Sequence, residues 1–445
     1  MKLGVISLGC DKATVDSERL VGELVGHGAQ VIPEVDGADV VLINTCGFID
    51  AAKRESIDAI LDATKLKAEG AVKAVVVVGC LVQRYREELA REIPEVDLFL
   101  GFSDLHRLVP ELASKGLLED PVARHPGVRQ YLGIAPHVRY LKISEGCDHT
   151  CAFCAIPLMR GRHRSEPLER LVREAQLLEA QGAKEINLVA QDLAHYGRDL
   201  GRDGPKLPDL LEALLGGTAV PWFRLLYVYS AGLTARLLEL MATERRVVPY
   251  IDIPIQHASD RMLERMRRPE RQATIREKVA LLRDAVPEIA VRTTAIVGFP
   301  GETDHDFQEL CDFAEEIGFE RLGVFTYSEQ EGTRAAQYPD DVPDQVKRAR
   351  QEELTEIQRA ISGERLARYL GKTTEVLVDR VADPDGDGAT HVGRVMWQAD
   401  DVDGVTYVAQ GGWARPGEFV TATLVDSEDY DFHAVAVGGR QSAIG

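Results

Sequence analysis

Short apolar segments alternate with amphipathic ones along the first 330 residues, and this alternation constrains the fold more than any other feature. Residues 38–45 (ADVVLINT) and 71–79 (AVKAVVVVG) are apolar almost throughout, as strands are when helices cover both faces of a sheet. The stretches between such segments carry apolar residues at helical spacing. The alternation predicts parallel sheets flanked by helices, that is, an α/β protein.

Three regions of the chain differ in pattern, and 445 residues are too many for a single core. Residues 1–115 predict an N-terminal parallel-sheet α/β domain. Residues 133–364 hold six strand–helix units and predict a partial (β/α)6 barrel that is open on one side. Residues 110–137 gather Pro and Gly and predict a linker. Residues 367–440 hold five short strands between Gly and Asp turns, which predict a small antiparallel β-barrel, OB-like in type.

Nothing in the sequence predicts a membrane protein. The longest apolar run, residues 74–79, is far shorter than a membrane span requires. The first ten residues read as a strand and not as a signal peptide. The expected location is cytoplasmic, where thiols stay reduced, so the seven cysteines are not expected to form structural disulfides.

Three cysteines of the first region each end a predicted strand: Cys10, Cys46 and Cys80. The carboxyl ends of parallel strands lie on one edge of a sheet, so these side chains are expected to converge. One cysteine in such a place would most often be an ordinary buried residue. Three in equivalent places favour metal ligation.

A second group of cysteines follows the first predicted barrel strand, within residues 143–157 (ISEGCDHTCAFCAIP). Cys147, Cys151 and Cys154 have the spacing C-x3-C-x2-C. Thiolates select zinc, copper(I) or iron–sulfur clusters. A structural zinc ion would need a fourth ligand, and His149 is too close to its neighbours to reach round the same ion. Three thiolates on a 4Fe–4S cluster would instead leave one iron open to a small molecule.

The same spacing, with an aromatic residue directly before the last cysteine, resembles the signature of radical S-adenosylmethionine (SAM) enzymes. The resemblance implies a 4Fe–4S cluster whose open iron chelates SAM and whose electron releases a 5′-deoxyadenosyl radical. It makes the three cysteines of this loop both metal ligands and catalytic residues. Cofactor-binding candidates are Phe153 and three polar residues at strand ends, Gln191, Gln256 and Arg292; for each of these three the alternative is a buried structural hydrogen bond.

The resemblance extends over nearly the whole chain, to the methylthiotransferase family of radical SAM enzymes. That family joins a three-cysteine α/β domain, a radical SAM barrel and a terminal barrel called TRAM. Stretches that carry the resemblance include NTCGFI, DIPIQHAS and RTTAIVGFPGET. It implies a second 4Fe–4S cluster on Cys10, Cys46 and Cys80, where sulfur is methylated and passed to the substrate, and a low-potential electron donor as partner. Asp11 stands where the family usually has proline.

The substrate has to be argued separately, because the family includes enzymes that modify tRNA and enzymes that modify ribosomal protein S-twelve. Residues 371–445 contain five basic and thirteen acidic residues, a net charge of −8, and the whole chain carries −20. Such a surface repels a phosphate backbone and attracts a basic protein. The basic stretch 160–164 (RGRHR) is the opposing evidence, although an arginine there would also suit a carboxylate.

The charge favours a basic protein, and for such a substrate the resemblance implies methylthiolation of the β-carbon of an aspartate in the small-subunit protein S-twelve. Contact with nucleic acid is expected only through the ribosome, and contact with a membrane is not expected. Methylthiolation of a tRNA adenosine is the alternative within the class. A non-catalytic iron–sulfur or zinc protein is the alternative from another class.

Overall fold

The computed structural model describes residues 1–118, 128–133, 135–383 and 388–438. Three bodies of secondary structure follow one another along the chain: a parallel α/β domain, a partial barrel and a small closed barrel. None of the helices in the described part of the chain combines the length and the apolarity that crossing a bilayer requires.

The N-terminal domain is an open parallel sheet with helices on both faces. Its elements are β1 (Lys2–Ser7), α1 (Asp11–Gly26), β2 (Gln30–Val31), β3 (Val40–Thr45), α2 (Asp50–Ala68), β4 (Ala74–Gly79), α3 (Cys80–Glu92), β5 (Leu98–Leu100) and α4 (Leu108–Ser114). The strands lie in the order β2-β1-β3-β4-β5, and each pairing is parallel.

The apolar run of β4 explains why this sheet is buried on both sides. Val76 and Val78 pack with α1 and α4, whereas Val75 and Val77 pack with α2 and α3. All four side chains are at most 1% exposed. Burying a valine fully contributes about 1.5–3 kcal/mol, so this strand fixes the centre of the domain. The short edge strand β2 has no counterpart in the strands predicted from the sequence.

The central domain is an incomplete (β/α) barrel. Its elements are β6 (Val138–Lys142), β7 (Ser144–Glu145), α5 (Ile156–Arg160), β8 (Arg164–Ser165), α6 (Leu168–Ala180), β9 (Glu185–Val189), α7 (Leu207–Gly217), β10 (Trp222–Leu225), α8 (Ala235–Thr243), β11 (Val247–Asp252), α9 (Asp260–Arg265), α10 (Gln272–Ala285), β12 (Ala290–Val297), α11 (Asp304–Ile317), β13 (Arg321–Thr326) and α12 (Asp344–Ala367). The sheet order is β13-β12-β11-β10-β9-β6. Within the described residues β13 and β6 do not pair, so the barrel is open between its first and last strands.

The terminal domain is a closed five-stranded barrel. Its strands are β14 (Thr373–Val381), β15 (Ala389–Val395), β16 (Thr406–Ala409), β17 (Phe419–Glu428) and β18 (Asp431–Ala436). Four of the five pairings are antiparallel, and β16 pairs with β18 in parallel. Closure leaves no exposed sheet edge.

The terminal barrel is not a separate appendage, because its core is continuous with the inside of the partial barrel. Trp222 and Tyr250 of the central domain belong to the same apolar cluster as Tyr369 and Trp397. Beside that cluster, Glu185 at the start of β9 is fully buried between two arginines. Arg224 reaches its Oε1 at 2.7 Å, and Arg394 of the terminal barrel reaches its Oε2 at 2.7 Å.

The N-terminal domain docks along β6, the first strand of the partial barrel. Helix α1 packs against β6. Its Asp16 forms an ion pair with Lys142, the last residue of β6, and its Glu18 pairs with Arg129 at 2.6 Å. All four of these charged side chains are buried. Buried ion pairs therefore hold the N-terminal domain against the first strand of the partial barrel.

The fold class predicted from the sequence is confirmed, from the parallel N-terminal sheet to the six-stranded partial barrel and the five-stranded terminal barrel. The predicted linker 110–137 overlaps the end of α4. Residues 119–127 and 134 of that stretch, and the last residues of the predicted terminal domain, 439 and 440, lie outside the described residues.

Candidate functional site

Cys147, Cys151 and Cys154, here called the loop triad, lie in one turn that follows β7. Gly146 allows that turn, since its φ is +75° and a Cβ there would be 2.2 Å from the carbonyl oxygen of Arg162. The Cys147 N–H donates to the carbonyl of Gly161 at 3.1 Å, and the Cys154 N–H donates to that of Cys151 at 3.2 Å. The backbone therefore fixes the positions of the three thiols before any metal binds.

Burial opposes free thiolates at two cysteines of the loop triad. Burial raises the pKa of Cys147 to about 11 and that of Cys154 to about 12. Thiols with such pKa values are protonated at neutral pH. A metal ion that binds them displaces these protons, so metal binding is the expected role of the site. The Cys151 sulfur is 3.2 Å from the hydroxyl of Tyr229 and 3.9 Å from Nη1 of Arg268.

Cys10, Cys46 and Cys80, here called the sheet triad, follow β1, β3 and β4 at one edge of the N-terminal sheet. Cys10 precedes α1, and Cys80 is the first residue of α3. Gly79 is required before Cys80, because its φ is +107° and a Cβ there would be 2.4 Å from Oδ1 of Asn44. A Cβ on Gly9 would be 3.5 Å from the Cys46 sulfur. The cysteines expected to converge are thus brought to the same edge.

In the sheet triad, burial raises the pKa of Cys80 to about 11, against the opposing positive charge of Arg160. Burial raises the pKa of Cys46 as well, and a negative charge on Cys10 adds to that effect. Arg160 is the last residue of α5, just after the loop triad, and it pairs with Asp16 at 2.9 Å and with Glu145 at 3.0 Å. Arg160 therefore joins the two halves of the site.

Each triad supplies three soft ligands and leaves a fourth position open, which suits a 4Fe–4S cluster that binds a further small molecule. The described residues place no fourth cysteine at either triad, since Cys311 is a buried residue of α11. The donor set, the burial and the proximity of Arg160 and Tyr229 fit the clusters that the sequence predicts.

A histidine cluster lies beside the loop triad and has the composition of a metal site. His149 Nε2 is 2.8 Å from Oδ2 of Asp192, and His195 Nε2 is 3.5 Å from the same oxygen. The two rings stack at 4.2 Å with an interplanar angle of 24°, and both Nε2 atoms face the same oxygen of Asp192. Burial lowers the pKa of His195 to about 4. This cluster is a hydrogen-bonded support for the cysteine loop.

The four cofactor-binding candidates do not lie together: Gln191 and Gln256 follow the ends of β9 and β11, whereas Arg292 is the third residue of β12. Phe153 packs edge-on to Phe299, with ring centroids 6.5 Å apart. Gln191 donates to Glu145 at 3.4 Å, and its own Oε1 is buried without a hydrogen-bond partner in the described residues. Gln256 has a φ of +71° and bridges β12 through its backbone.

Arg292 faces the inside of the barrel, opposite the last residue of β11. Its Nη1 is 3.1 Å from Oδ1 of the fully buried Asp252. Nearby, Tyr227 donates from its hydroxyl to Asp11 at 3.2 Å, and the ammonium of Lys12 lies 3.5 Å above the Tyr227 ring. The residues that follow Cys10 therefore reach into the barrel mouth.

A cleft of 520 Å³ opens between the free edge of the partial barrel and the terminal barrel. The barrel contributes Arg292, Arg321, Leu322 and Gly323, and the terminal domain contributes Val402, Asp403, Gly404, Glu428, Asp429, Tyr430 and Asp431. The Glu428 and Asp429 side chains are 75% and 54% exposed. The cleft joins an acidic rim to Arg292.

The basic stretch 160–164 is divided by the fold. Arg160 and His163 are buried, and Nη1 of Arg160 pairs with the carboxylates of Asp16 and Glu145. Only Arg162 and Arg164 of its three arginines are exposed. The acidic residues of the terminal domain are divided too, because Asp403 is buried beside Arg321 and Asp379 pairs with Arg394.

Three residues of this site were missed by sequence reasoning: Tyr229, Arg268 and Asp192. Asp192 directly follows the candidate Gln191, and Tyr229 follows the third barrel strand, so position at a strand end was the available signal. Arg268 gave no such signal, because its approach to Cys151 depends on a tertiary contact across 117 residues.

A six-stranded partial barrel whose first strand leads into a C-x3-C-x2-C loop defines a radical SAM protein. The Radical SAM superfamily profile matches residues 141–314, the uncharacterized protein family UPF0004 matches residues 2–101, and the TRAM domain matches residues 370–437. The chain also resembles the solved radical SAM methyltransferase TsrM from Kitasatospora setae, with a TM-score of 0.55 and 14% identity over 73% of this chain and 72% of that one. That likeness shows the fold.

Sequence relatives make the family specific. The chain is 46% identical over 439 residues to the ribosomal protein uS12 methylthiotransferase RimO of Anaeromyxobacter sp. (strain Fw109-5), covering 97% of this chain and 92% of that one. It is 43% identical to the RimO of Geobacter sulfurreducens, covering 97% of each chain. The chain belongs to the RimO family of radical SAM methylthiotransferases.

Proposed function

We propose that this enzyme attaches a methylthio group to the β-carbon of an aspartate in ribosomal protein uS12, with SAM and two 4Fe–4S clusters as cofactors. The observation that carries the proposal is the meeting of two cysteine triads at one barrel mouth, with Arg160 between them. One triad alone would support radical chemistry; the second provides a place for sulfur. The relatives named uS12 methylthiotransferases support the choice of substrate.

The six cysteines of the triads are the proposed cluster ligands, and the loop triad has the catalytic role. When bound, the loop-triad cluster would supply the electron that cleaves SAM, and the sheet-triad cluster would hold the sulfur that is methylated and transferred. Arg160 holds the loop and the N-terminal domain together through Asp16 and Glu145. The reaction also needs a low-potential one-electron donor. We place the enzyme in the cytoplasm.

Phe153, Gln191, Gln256 and Arg292 are the proposed SAM contacts. The unpartnered Oε1 of Gln191 is suited to an ammonium or hydroxyl donor of the ligand. Arg292 is suited to a carboxylate because a guanidinium binds one through two parallel hydrogen bonds. Phe153 offers an apolar face beside the loop triad.

The cleft between the two barrels supports a protein substrate over tRNA. Its rim presents the exposed carboxylates of Glu428 and Asp429, which repel phosphate and attract lysine and arginine side chains. Arg292 lines the same cleft on the side of the partial barrel. The burial of Arg160 and His163 removes part of the basic stretch that favoured RNA.

The proposal is tested by incubating the anaerobically reconstituted enzyme with SAM, a reductant and either uS12 or bulk tRNA. Mass spectrometry should find one methylthio group on an aspartate of uS12 and none on tRNA. A methylthio adenosine in tRNA would establish the alternative substrate. Zinc without sulfide in the purified protein would establish a non-catalytic metal protein.

The role of the cleft is tested with the double variant Glu428→Lys/Asp429→Lys. We expect the KM for uS12 to rise about tenfold or more, since charge reversal at a docking rim replaces attraction with repulsion. SAM cleavage without uS12 should not change. The matched control is Glu277→Lys/Asp284→Lys, which reverses two exposed carboxylates on the outer helix α10. Equal KM values in the two variants would exclude the cleft as the docking site.

A further inference from the structure

Tyr229 contacts a proposed cluster ligand, and the proposed function gives it no role. It lies after β10, and its hydroxyl is 3.2 Å from the sulfur of Cys151. A cysteine that binds iron does so as a thiolate, which accepts hydrogen bonds and donates none. A phenol has an ordinary pKa of about 10 and keeps its proton at neutral pH. Tyr229 is therefore the donor and the Cys151 sulfur the acceptor.

The Tyr229 ring is held on both of its faces. His149 stacks on one face at 4.0 Å, with an interplanar angle of 8°. The guanidinium of Arg268 lies 4.0 Å from the ring centroid. The Tyr229 N–H donates to Asp192 Oδ1 at 3.3 Å, and Asp192 Oδ2 is also 2.8 Å from His149 Nε2. The phenol is thus oriented toward Cys151 by groups that lie on three separate segments of the barrel.

Arg268 brings a positive charge to the same sulfur. Its Nη1 is 3.9 Å from the sulfur of Cys151, and its Nη2 donates to the carbonyl of Pro254 at 2.8 Å. The side chain is only 2% exposed, and its carboxylate partner among the described residues is Glu270, at 3.2 Å. Little water screens this charge from the sulfur, so its electrostatic effect is larger than that of an exposed arginine.

We infer that Tyr229 and Arg268 are positioning residues that raise the reduction potential of the cluster on the loop triad. The inference rests on the proposed function, which places that cluster there. Reduction adds one electron to the cluster from the low-potential donor, and no bond forms or breaks at either side chain. A hydrogen bond and a nearby cation both stabilise the more negative, reduced state, and such contacts to cluster sulfurs set the potential.

The test is an anaerobic redox titration of the reconstituted full-length enzyme, followed by electron paramagnetic resonance. The loop-triad signal is identified by its change when SAM is added. Tyr229→Phe removes only the hydroxyl and should lower the midpoint potential of that signal with iron content unchanged. The matched control is Tyr196→Phe, which removes another hydroxyl of the barrel, one that donates to the carbonyl of Glu166 at 3.0 Å. The control should leave the potential where it is.

Arg268 provides the second variant. Arg268→Gln should also lower the midpoint potential, and Arg268→Lys, which keeps the charge, should restore most of it. An unchanged potential in Tyr229→Phe, or loss of iron in place of a shift, would overturn the inference. The titration needs only the assembled cluster, so a shift without any methylthio group on uS12 would contradict the proposed function and support the role of Tyr229.

Discussion

The loop triad comes from one turn of eight residues, whereas the sheet triad comes from the ends of three strands up to 70 residues apart. In the loop triad a glycine turn and local backbone hydrogen bonds place the thiols. In the sheet triad the whole N-terminal sheet positions the thiols, because parallel strands bring their carboxyl ends to one edge. Local sequence therefore encodes the first triad, and the folded sheet encodes the second.

The largest expected effects come from removing one ligand from each triad. Cys151→Ala should abolish SAM cleavage, and Cys46→Ala should abolish methylthio transfer while 5′-deoxyadenosine still forms. Each variant should fall from about eight irons per chain to about four, since each cluster holds four. Iron analysis and product chromatography check this.

Loss of all iron in either single variant would show that the two triads assemble together. That outcome would contradict the conclusion that the loop triad forms independently of the N-terminal sheet.

The next largest effect is expected at the junction of the triads. Arg160→Met leaves the buried carboxylate of Asp16 with one partner fewer and removes a partner of Glu145, and it should lower the free energy of unfolding by about 3–5 kcal/mol. Urea unfolding of the iron-free protein measures this change. The control is Arg162→Met at an exposed position, where a change within about 0.5 kcal/mol is expected. Equal effects would mean that Arg160 does not join the two halves.

A smaller effect is expected at Asp400, outside both triads. Burial raises its pKa to about 6 despite Arg394 nearby, with Asp401, Glu185 and Asp379 adding negative charge. Ionisation of Asp400 therefore destabilises the folded protein. This contribution lowers the free energy of unfolding increasingly as the pH rises from about 4 to about 6. Asp400→Asn should stabilise the protein by about 2 kcal/mol at pH 7.5 and leave it unchanged near pH 4.

Thermal or urea unfolding at the two pH values checks the Asp400 prediction, and iron content should be the same as in the unaltered protein. A stabilisation that is equal at both pH values would mean that ionisation of Asp400 is not its cause.

The smallest effect is expected at the seventh cysteine. Cys311 is buried in α11 and packs with Leu310 and Phe313 in the barrel core. Cys311→Ala should cost about 1 kcal/mol of stability, as a small core truncation does, and should leave both the iron content and the activity unaltered. Any loss of iron would assign Cys311 to a cluster and contradict its separation from the two triads.

Much of the fold was predictable because its signals are periodic. Buried parallel strands such as β4 are recognisable from their apolar runs, and strand ends locate the sheet triad. The contacts that join domains were not predictable in the same way. Arg394 meets Glu185 across 209 residues, and Tyr229 meets Cys151 across 78. Such pairs leave no pattern in the chain, since each depends on how whole elements pack.

The net charge of the terminal domain was correctly counted from the sequence, but its acidic residues are distributed unevenly between buried and exposed positions. Asp403 and Asp379 serve contacts with buried arginines, whereas Glu428 and Asp429 remain in water at the cleft. Composition counts all four alike. Only the packing separates carboxylates that are buried against arginines from those exposed at the cleft, where Asp429 also pairs with Arg359 at 3.1 Å.

The burial of Glu185 between Arg224 and Arg394 has a consequence for how the molecule comes apart. If the terminal barrel separated from the partial barrel, Glu185 and Arg394 would lose their ion pair. The cost of an unpaired buried charge strongly disfavours separation of the two folded barrels. The two barrels should melt in a single calorimetric transition, and proteases should find no stable fragment at their boundary. A substrate then enters the cleft through movement of side chains and turns at its rim, while the two barrels keep their relative positions.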